Sequence, residues 1–436
     1  MAFRTLASQL FGLTFWPLAA CCNTDPRRSE PDPAAQISSA PAERPARCTP
    51  LGTEHVLGPA SATAEADLDK VLPFATEIGD GAGNASGFAV GALRQQSGGT
   101  NAVAVLVDVQ GKAWRTVDLG QSHGDAEPPR VFAGDGILGA AMLQPSGASR
   151  SLQLARIDGD SIHWGAEFLQ GLDGSLAYDV VVGAERGVAV WDGVPKDRDV
   201  GGVYVATFDR KTLGAPSMAR VVTLPGTDAD APRVVPRPGG FWLLWVARRA
   251  AAADNEARYR AEDIAFRWLE AVPLDAQAAL AGSPRRIGTN DGHVLAYDVV
   301  SGEGGAAVVV WRDDDTPSGS QGGQLYRARL HLGGIDGPDV IGGEHLGAGA
   351  PNVMQGWLSI ADALGPTRLA PLGSAGELLD QLASEATLGA GEPVANLGDK
   401  LLVSRPSGLA VRLFVVSCIR GVLEAGTDGG ADDSSE

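Results

Sequence analysis

Apolar residues in this chain fall into short runs, and seven of the runs open on a glycine. They are Gly87-Phe88-Ala89-Val90, Gly136-Ile137-Leu138, Gly187-Val188-Ala189-Val190-Trp191, Gly240-Phe241-Trp242-Leu243-Leu244-Trp245, the stretch from Gly305 to Trp311, Gly356-Trp357-Leu358, and the stretch from Gly398 to Val403. The runs are short, rich in β-branched and aromatic residues, and bounded by Gly, Pro, Asp or Ser. That pattern predicts strands. Both alternating sets of positions are apolar, so each strand is expected to be covered on two sides by neighbouring sheets.

The glycines stand 49, 51, 53, 65, 51 and 42 residues apart. Leu176-Ala177-Tyr178-Asp179-Val180-Val181 returns as Leu295-Ala296-Tyr297-Asp298-Val299-Val300, 119 residues later. Ala231-Pro232-Arg233-Val234-Val235 returns at the same distance as Ala350-Pro351-Asn352-Val353-Met354. The long period therefore holds two units. One unit reads as strand a (Asp179 to Val181), strand b (Val188 to Trp191), strand c (Val203 to Phe208) and strand d (Arg220 to Leu224). Strand c often ends in Asp (Asp108, Asp158, Asp209, Asp275), a residue that can bond its own backbone and start the next turn. Four strands per repeat of this length predict an all-β, seven-bladed β-propeller, with six or eight blades also compatible. Trp191, Trp245 and Trp311 recur at the end of strand b, so blade-to-blade packing is expected of them before any role as a stacking platform.

The last unit lacks a strand d. It shows strand b from Asp399 to Val403 and strand c from Leu409 to Val416, and then reaches Cys418. At the other end, Thr53 to Gly58 has no blade of its own. A ring leaves no open sheet edge only if one end completes the other. The segment after Cys48 is therefore placed as strand d of the last blade. Cys48 and Cys418 then lie side by side, near enough for a disulfide. Four cysteines, two of them in the folded part, fit an oxidising compartment and a single bridge.

Residues 1–20 carry one charge, Arg4, before a mostly apolar stretch, which is a signal-peptide pattern too short to span a membrane stably. The stretch ends in Leu18-Ala19-Ala20-Cys21, which resembles the lipobox of bacterial lipoproteins. By that resemblance Cys21 is the lipidated residue, and membrane contact is through this N-terminal lipid. Ordinary secretion after Ala20 is the alternative. Residues 21–47 are rich in Pro, Ala, Ser and charge and read as a semi-extended tether. Residues 48–425 form the propeller, and 426–436 an acidic disordered tail.

The formal net charge of −18 argues against nucleic acid as a partner. Gly at 58 of 436 residues, with 44% hydrophobic residues, is turn-rich but not a disordered composition. The loops expected on one face are acidic: Asp125, Glu127, Asp173, Asp192, Asp197, Asp199, Asp228, Asp230, Asp291, and the run Asp313-Asp314-Asp315. They read either as a face for a cation or a basic partner, or as a solvated rim. Asp179 and Asp298 could point at the channel or bond neighbouring loop backbone. Asp313-Asp314-Asp315 offers a donor cluster for Ca2+, but calcium needs six to eight oxygens and no spacing here matches a defined calcium loop, so no cofactor is expected, with Ca2+ as the alternative. Between Ala247 and Ile264 the chain is Ala/Arg/Glu-rich, reading as a partly helical basic finger with Arg248, Arg249, Arg258 and Arg260.

Six histidines show no metal-binding spacing, and no nucleophile elbow or P-loop occurs. Ala104 to Trp114 looks like the strand–turn–Trp of quinoprotein-type repeats, and Ala155 to Trp164 partly echoes it. Only two of seven units do so, and no quinone cofactor is inferred. Taken whole, the chain resembles divergent propeller lipoproteins of large-genome Gram-negative bacteria. That resemblance implies an exported, monomeric, membrane-anchored protein facing the periplasm or the cell surface. The expected function is a binding module for a protein or glycan partner. The alternatives are a carbohydrate-active hydrolase or lyase using loop carboxylates, and a structural part of an envelope assembly.

Overall fold

The computed structural model describes residues 47–57, 74–78, 87–96, 99–122, 128–134, 136–146, 149–172, 177–249, 266–288, 292–314, 323–341, 349–360, 366–379, 382–385, 387–407 and 410–419. The leader, Cys21 and the tether, Asp315, Arg258, Arg260 and the acidic tail lie outside them, as do Asp125, Glu127, Asp173 and Asp291.

The described strands form seven four-stranded antiparallel sheets. Their first strands are Phe74–Ile78, Arg130–Gly134, Tyr178–Val182, Thr227–Arg237, Val294–Ser301, Pro351–Met354 and Glu392–Leu397, which define blades 1 to 7. Each of these strands touches the first strand of the next blade, and that of blade 7 touches that of blade 1. A closed cycle of inner strands is a β-propeller, as the repeats predict.

Alternation of side chains explains why both sets of positions are apolar. In blade 3, Ala189 and Trp191 pack with blade 2, while Val188 and Val190 pack with blade 4. The core is accordingly a series of layers, one between each pair of neighbouring blades. Trp191, Trp245 and Trp311 are buried, each against the preceding blade. They are packing residues, and solvent does not reach them.

The ring closes as expected. Arg47–Leu57 pairs with Ala410–Ile419 as the outer strand of blade 7, with Cys48 opposite Cys418. A disulfide joins the two across a sequence separation of 370. The same strand is also fastened to blade 1. The Thr53 N–H donates to Gly111 O at 2.9 Å, and His55 stacks on Trp114 at 5.1 Å.

That second contact recurs around the rim. The turn between strands c and d of one blade offers a carbonyl to strand d of the blade before. Leu213 O accepts from the Ala166 N–H at 2.6 Å, Ala278 O accepts from Arg220, and Leu332 O accepts from Arg285 at 2.9 Å. Gly111, Leu213 and Ala278 have φ of 65°, 54° and 58°. The left-handed conformation turns the carbonyl outward, and Leu213 and Ala278 adopt it despite their side chains. The Asp residues expected to start these turns do so at three of four places. Asp108 accepts from the N–H groups of Gln110, Lys112 and Ala113, Asp209 from those of Lys211 and Thr212, and Asp275 from those of Gln277 and Ala279.

Candidate functional site

The duplicated Tyr-Asp pair sits on the inner strands and ties three blades together. The Tyr178 hydroxyl lies 3.0 Å from Pro128 O and 3.3 Å from Ala141 O, both in the blade before. The Tyr297 hydroxyl lies 2.6 Å from Ala231 O and 3.1 Å from Leu244 O in the same sense. The next residue reaches forward. Asp179 Oδ2 accepts the Val234 N–H at 2.9 Å, and Asp298 Oδ2 accepts the Val353 N–H at 2.7 Å. Their other oxygens accept the N–H groups of Val180 and Val299. Both aspartates therefore bond backbone of the next blade, the second of the two readings the sequence allows.

The matching positions of the intervening blades carry Arg130, Arg233 and Asn352. Arg130 Nε lies 3.3 Å from Asp179 Oδ1 and donates to Tyr178 O at 3.2 Å. Asn352 donates to Pro393 O at 2.7 Å. Arg233 and Arg130 both attract the Asp298 carboxylate, although burial still pushes its pKa above the ordinary carboxylate range. The inner ring thus reads Arg, Asp, Arg, Asp, Asn from blade 2 to blade 6. Neither arginine stands out in the sequence as a member of the ring, although Arg233 lies in a repeated segment. The two fall 49 and 54 residues from Asp179, and laying the repeats over one another position by position would have exposed them.

Above this ring the acidic loop residues are largely committed to the frame. Asp192 accepts the N–H groups of Ala177 and Ala231, joining blades 3 and 4. Asp228 accepts the Gly201 N–H at 2.9 Å and pairs with Arg248. Asp313 accepts the His293 N–H at 2.6 Å, and buried Asp314 pairs with Arg312. Among the described residues, no set of three or more His, Cys, Asp and Glu is gathered as metal ligands would be.

Arg248 and Arg249 do not belong to a projecting finger. They are the last two residues of the strand Gly240–Arg249, opposite Asp228 and Thr227. The hydrogen-bonded hairpin continues past the point where composition alone suggests a helix. The rest of the expected finger lies outside the described residues.

Asp197 and Asp199 are exposed, and Asp230 differs from Asp192, Asp228, Asp313 and Asp314. Its side chain is 41% exposed and has Arg248 at 3.7 Å. Protein nonetheless surrounds it closely, and its pKa is pushed up to about 6. Loss of hydration is the main cause. The charges of Asp192 and Asp228 add to it, while Arg248 and Arg267 oppose it.

Strand register places the neighbours of Asp230. Asp228, Arg248 and Arg267 form one cross-strand row, and Asp230 is two residues along the same face. Val246, which pairs with Asp230, packs toward blade 5. On the blade 5 side stands His293, bridged to Arg267 and stacked on Phe266 at 5.4 Å with the rings 14° from parallel. Phe266 and His293 are both partly exposed. The upper ends of blades 4 and 5 thus carry Asp230 with Arg248, the Arg267 strand end, and the Phe266–His293 pair. Phe266 and His293 carry no sequence signal of their own, because each adjoins a strand as an isolated ring.

No protein-family model matches the chain, and no curated protein does. Among solved structures, the α-L-arabinofuranosidase of Fusarium graminearum is similar at 12% identity, covering 86% of this chain and 98% of that one, with a TM-score of 0.46. The α-L-arabinanase of Penicillium chrysogenum is similar at 13%, covering 78% and 97%, with a TM-score of 0.43. TolB from Acinetobacter baumannii is similar at 15%, covering 75% and 79%, with a TM-score of 0.34. At these identities the likeness concerns the propeller architecture, which the strand pairing of this chain already establishes.

Proposed function

We propose that the chain is an exported, lipid-anchored propeller that binds a protein or glycan partner at the blade 4–blade 5 side of its channel mouth. The observation that carries this reading is the division of labour among the acids. Asp179, Asp192, Asp228, Asp298, Asp313 and Asp314 are bonded within the frame, whereas Asp230 keeps a 41% exposed side chain beside Arg248. Export is supported by the Leu18-Ala19-Ala20-Cys21 motif and by the buried bridge, which needs an oxidising compartment to persist. Palmitate labelling of the full-length chain in a Gram-negative host tests the anchor, with Cys21→Ser expected to abolish label and membrane retention. Pull-down from envelope extracts, wild type against Asp230→Asn, tests the mouth. An identical set of captured molecules from both would remove Asp230 from the reading.

A second reading is favoured by the raised pKa of Asp230. A carboxyl whose pKa is raised to about 6 beside other acidic residues is the arrangement a general acid requires. Release of reducing sugar from envelope polysaccharide, lost in Asp230→Asn, would favour the hydrolase over the binding module.

A further inference from the structure

We infer that the Cys48–Cys418 bond is a redox-controlled mechanical latch, which keeps the propeller folded while the chain is under tension. This goes beyond the binding reading above and does not rest on it. The chain enters the ring at Arg47 and leaves it at Ile419, and these residues face each other as the first pair of the closing strands. The second pair is Cys48 with Cys418. A pull on the two ends therefore crosses from one cysteine to the other through a covalent bond, over a Cα separation of 4.0 Å. The blades between them, a sequence separation of 370, lie outside that path.

Strand register shows what the bond prevents. The two strands are antiparallel, so a pull at Arg47 and Ile419 acts on one and the same end of the pair. Load placed that way opens the ladder pair by pair, from Arg47–Ile419 to Leu57–Val411, and the hydrogen bonds never resist together. Arg47–Leu57 is the strand that yields. It has one partner, whereas Ala410–Ile419 is held on its other side by Lys400–Ser407. The Thr53–Gly111 bond and the His55–Trp114 stack lie farther along, past the five pairs from Arg47 to Leu51. The disulfide thus stands where peeling begins. Both cysteines are buried, so a reductant gains access only as the terminal pair opens. A dithiol then supplies two electrons and two protons, the S–S bond breaks to two thiols, and the reductant leaves as its own disulfide.

The test is optical-trap stretching of the full chain by a handle on each terminus, because forced opening reads the unfolding rate directly. In oxidising buffer the ring is expected to add no length up to the force at which the handles fail. The second sample is wild type reduced by dithiothreitol, with Cys48 and Cys418 verified as free thiols by labelling after denaturation. It should open under tension and release about 1,200–1,300 Å of chain, the extended reach of a 370-residue separation. Cys48→Ala/Cys418→Ala should do so in either buffer, and the reduced wild type decides alone if that variant does not fold. Release of ring length from the oxidised chain would overturn the inference. So would a reduced chain that holds to the same force as the oxidised one.

Discussion

Replacing Cys48 and Cys418 together by alanine removes a crosslink that spans nearly the whole propeller. The loop it closes has a sequence separation of 370. The chain-entropy relation gives about 6 kcal/mol for a loop of that size, lost from the unfolded state and not from any native contact. Unfolding a ring of this length carries an entropy of about 0.8 kcal/mol per degree, so the expected fall in Tm is about 8 °C. Two features make that an upper figure. Measured gains commonly fall short of the entropic value. The outer strand of blade 7 also keeps its register with Ala410–Ile419 and its anchors on blade 1 through Thr53 and His55. Differential scanning calorimetry should compare the oxidised wild type, the reduced wild type and the double alanine variant. The reduced form separates loss of the bond from loss of the buried sulfur atoms. Amide exchange adds a local reading, because protection of residues 49–57 should fall further than that of blades 3 and 4. An unchanged Tm with unchanged exchange would show that strand pairing alone closes the ring.

Much of this was legible in the sequence. The glycine-led strands, the two-blade period and the unpaired ends together specify a closed ring, because each is a backbone-level requirement that leaves a residue-type trace. The Cys48–Cys418 bridge follows from the same closure. What was not legible is how the loop acids are spent. Asp192 and Asp230 look alike in sequence, yet one bonds two amide groups between blades and the other stays part-exposed beside Arg248. Hydrogen bonding across blades depends on which loops meet in space, and composition does not record that. Arg248 was misplaced for a related reason. Its neighbours Ala250 to Ala253 favour a helix, but cross-strand pairing with Asp228 and Arg267 extends the hairpin through it.

The remaining predictions concern charge and backbone. Burial raises the Asp230 pKa, so the folded chain holds this proton more tightly than the unfolded chain. Its contribution to stability is fully present below the unfolded pKa of about 4 and is lost as pH rises through about 6. Asp230→Asn should therefore stabilise the fold at pH 7.5 and much less at pH 4.5, read by urea denaturation; a larger gain at the acid pH would contradict this. Asp298→Ala strips the acceptor from the Val353 N–H and should cost about 1–3 kcal/mol, whereas removing only the Tyr297 hydroxyl with Phe should cost about 1 kcal/mol. Equal costs for the two would argue against the Asp298 bond as the stronger tie. At Ala278, glycine relieves the left-handed conformation but loses a buried methyl, so the net change should stay within about 0.5 kcal/mol; valine should cost about 2 kcal/mol or more.

The two-blade period itself has a physical cause. A residue on an inner strand can reach back or forward to the neighbouring inner strand, and the Tyr-Asp pair does both. When one blade supplies aspartate at that position, the blade before it can supply arginine. The opposed charges then lie within the ring, and neither is left desolvated alone. Arg130 beside Asp179, and Arg233 acting on Asp298, follow this rule. The residues that repeat most clearly are therefore the ones that hold the ring. Chemistry directed outward is to be sought where the repeat is broken. Blade 4 breaks it most: its inner strand rises past the ring to Asp228 and Asp230, and the spacing from its glycine to the next is the longest in the chain. The same blade carries Arg248 and Arg267 on its paired strands and Phe266 just before the second of them. Repetition in this molecule marks structure, and departure from it marks where a search for outward chemistry should begin.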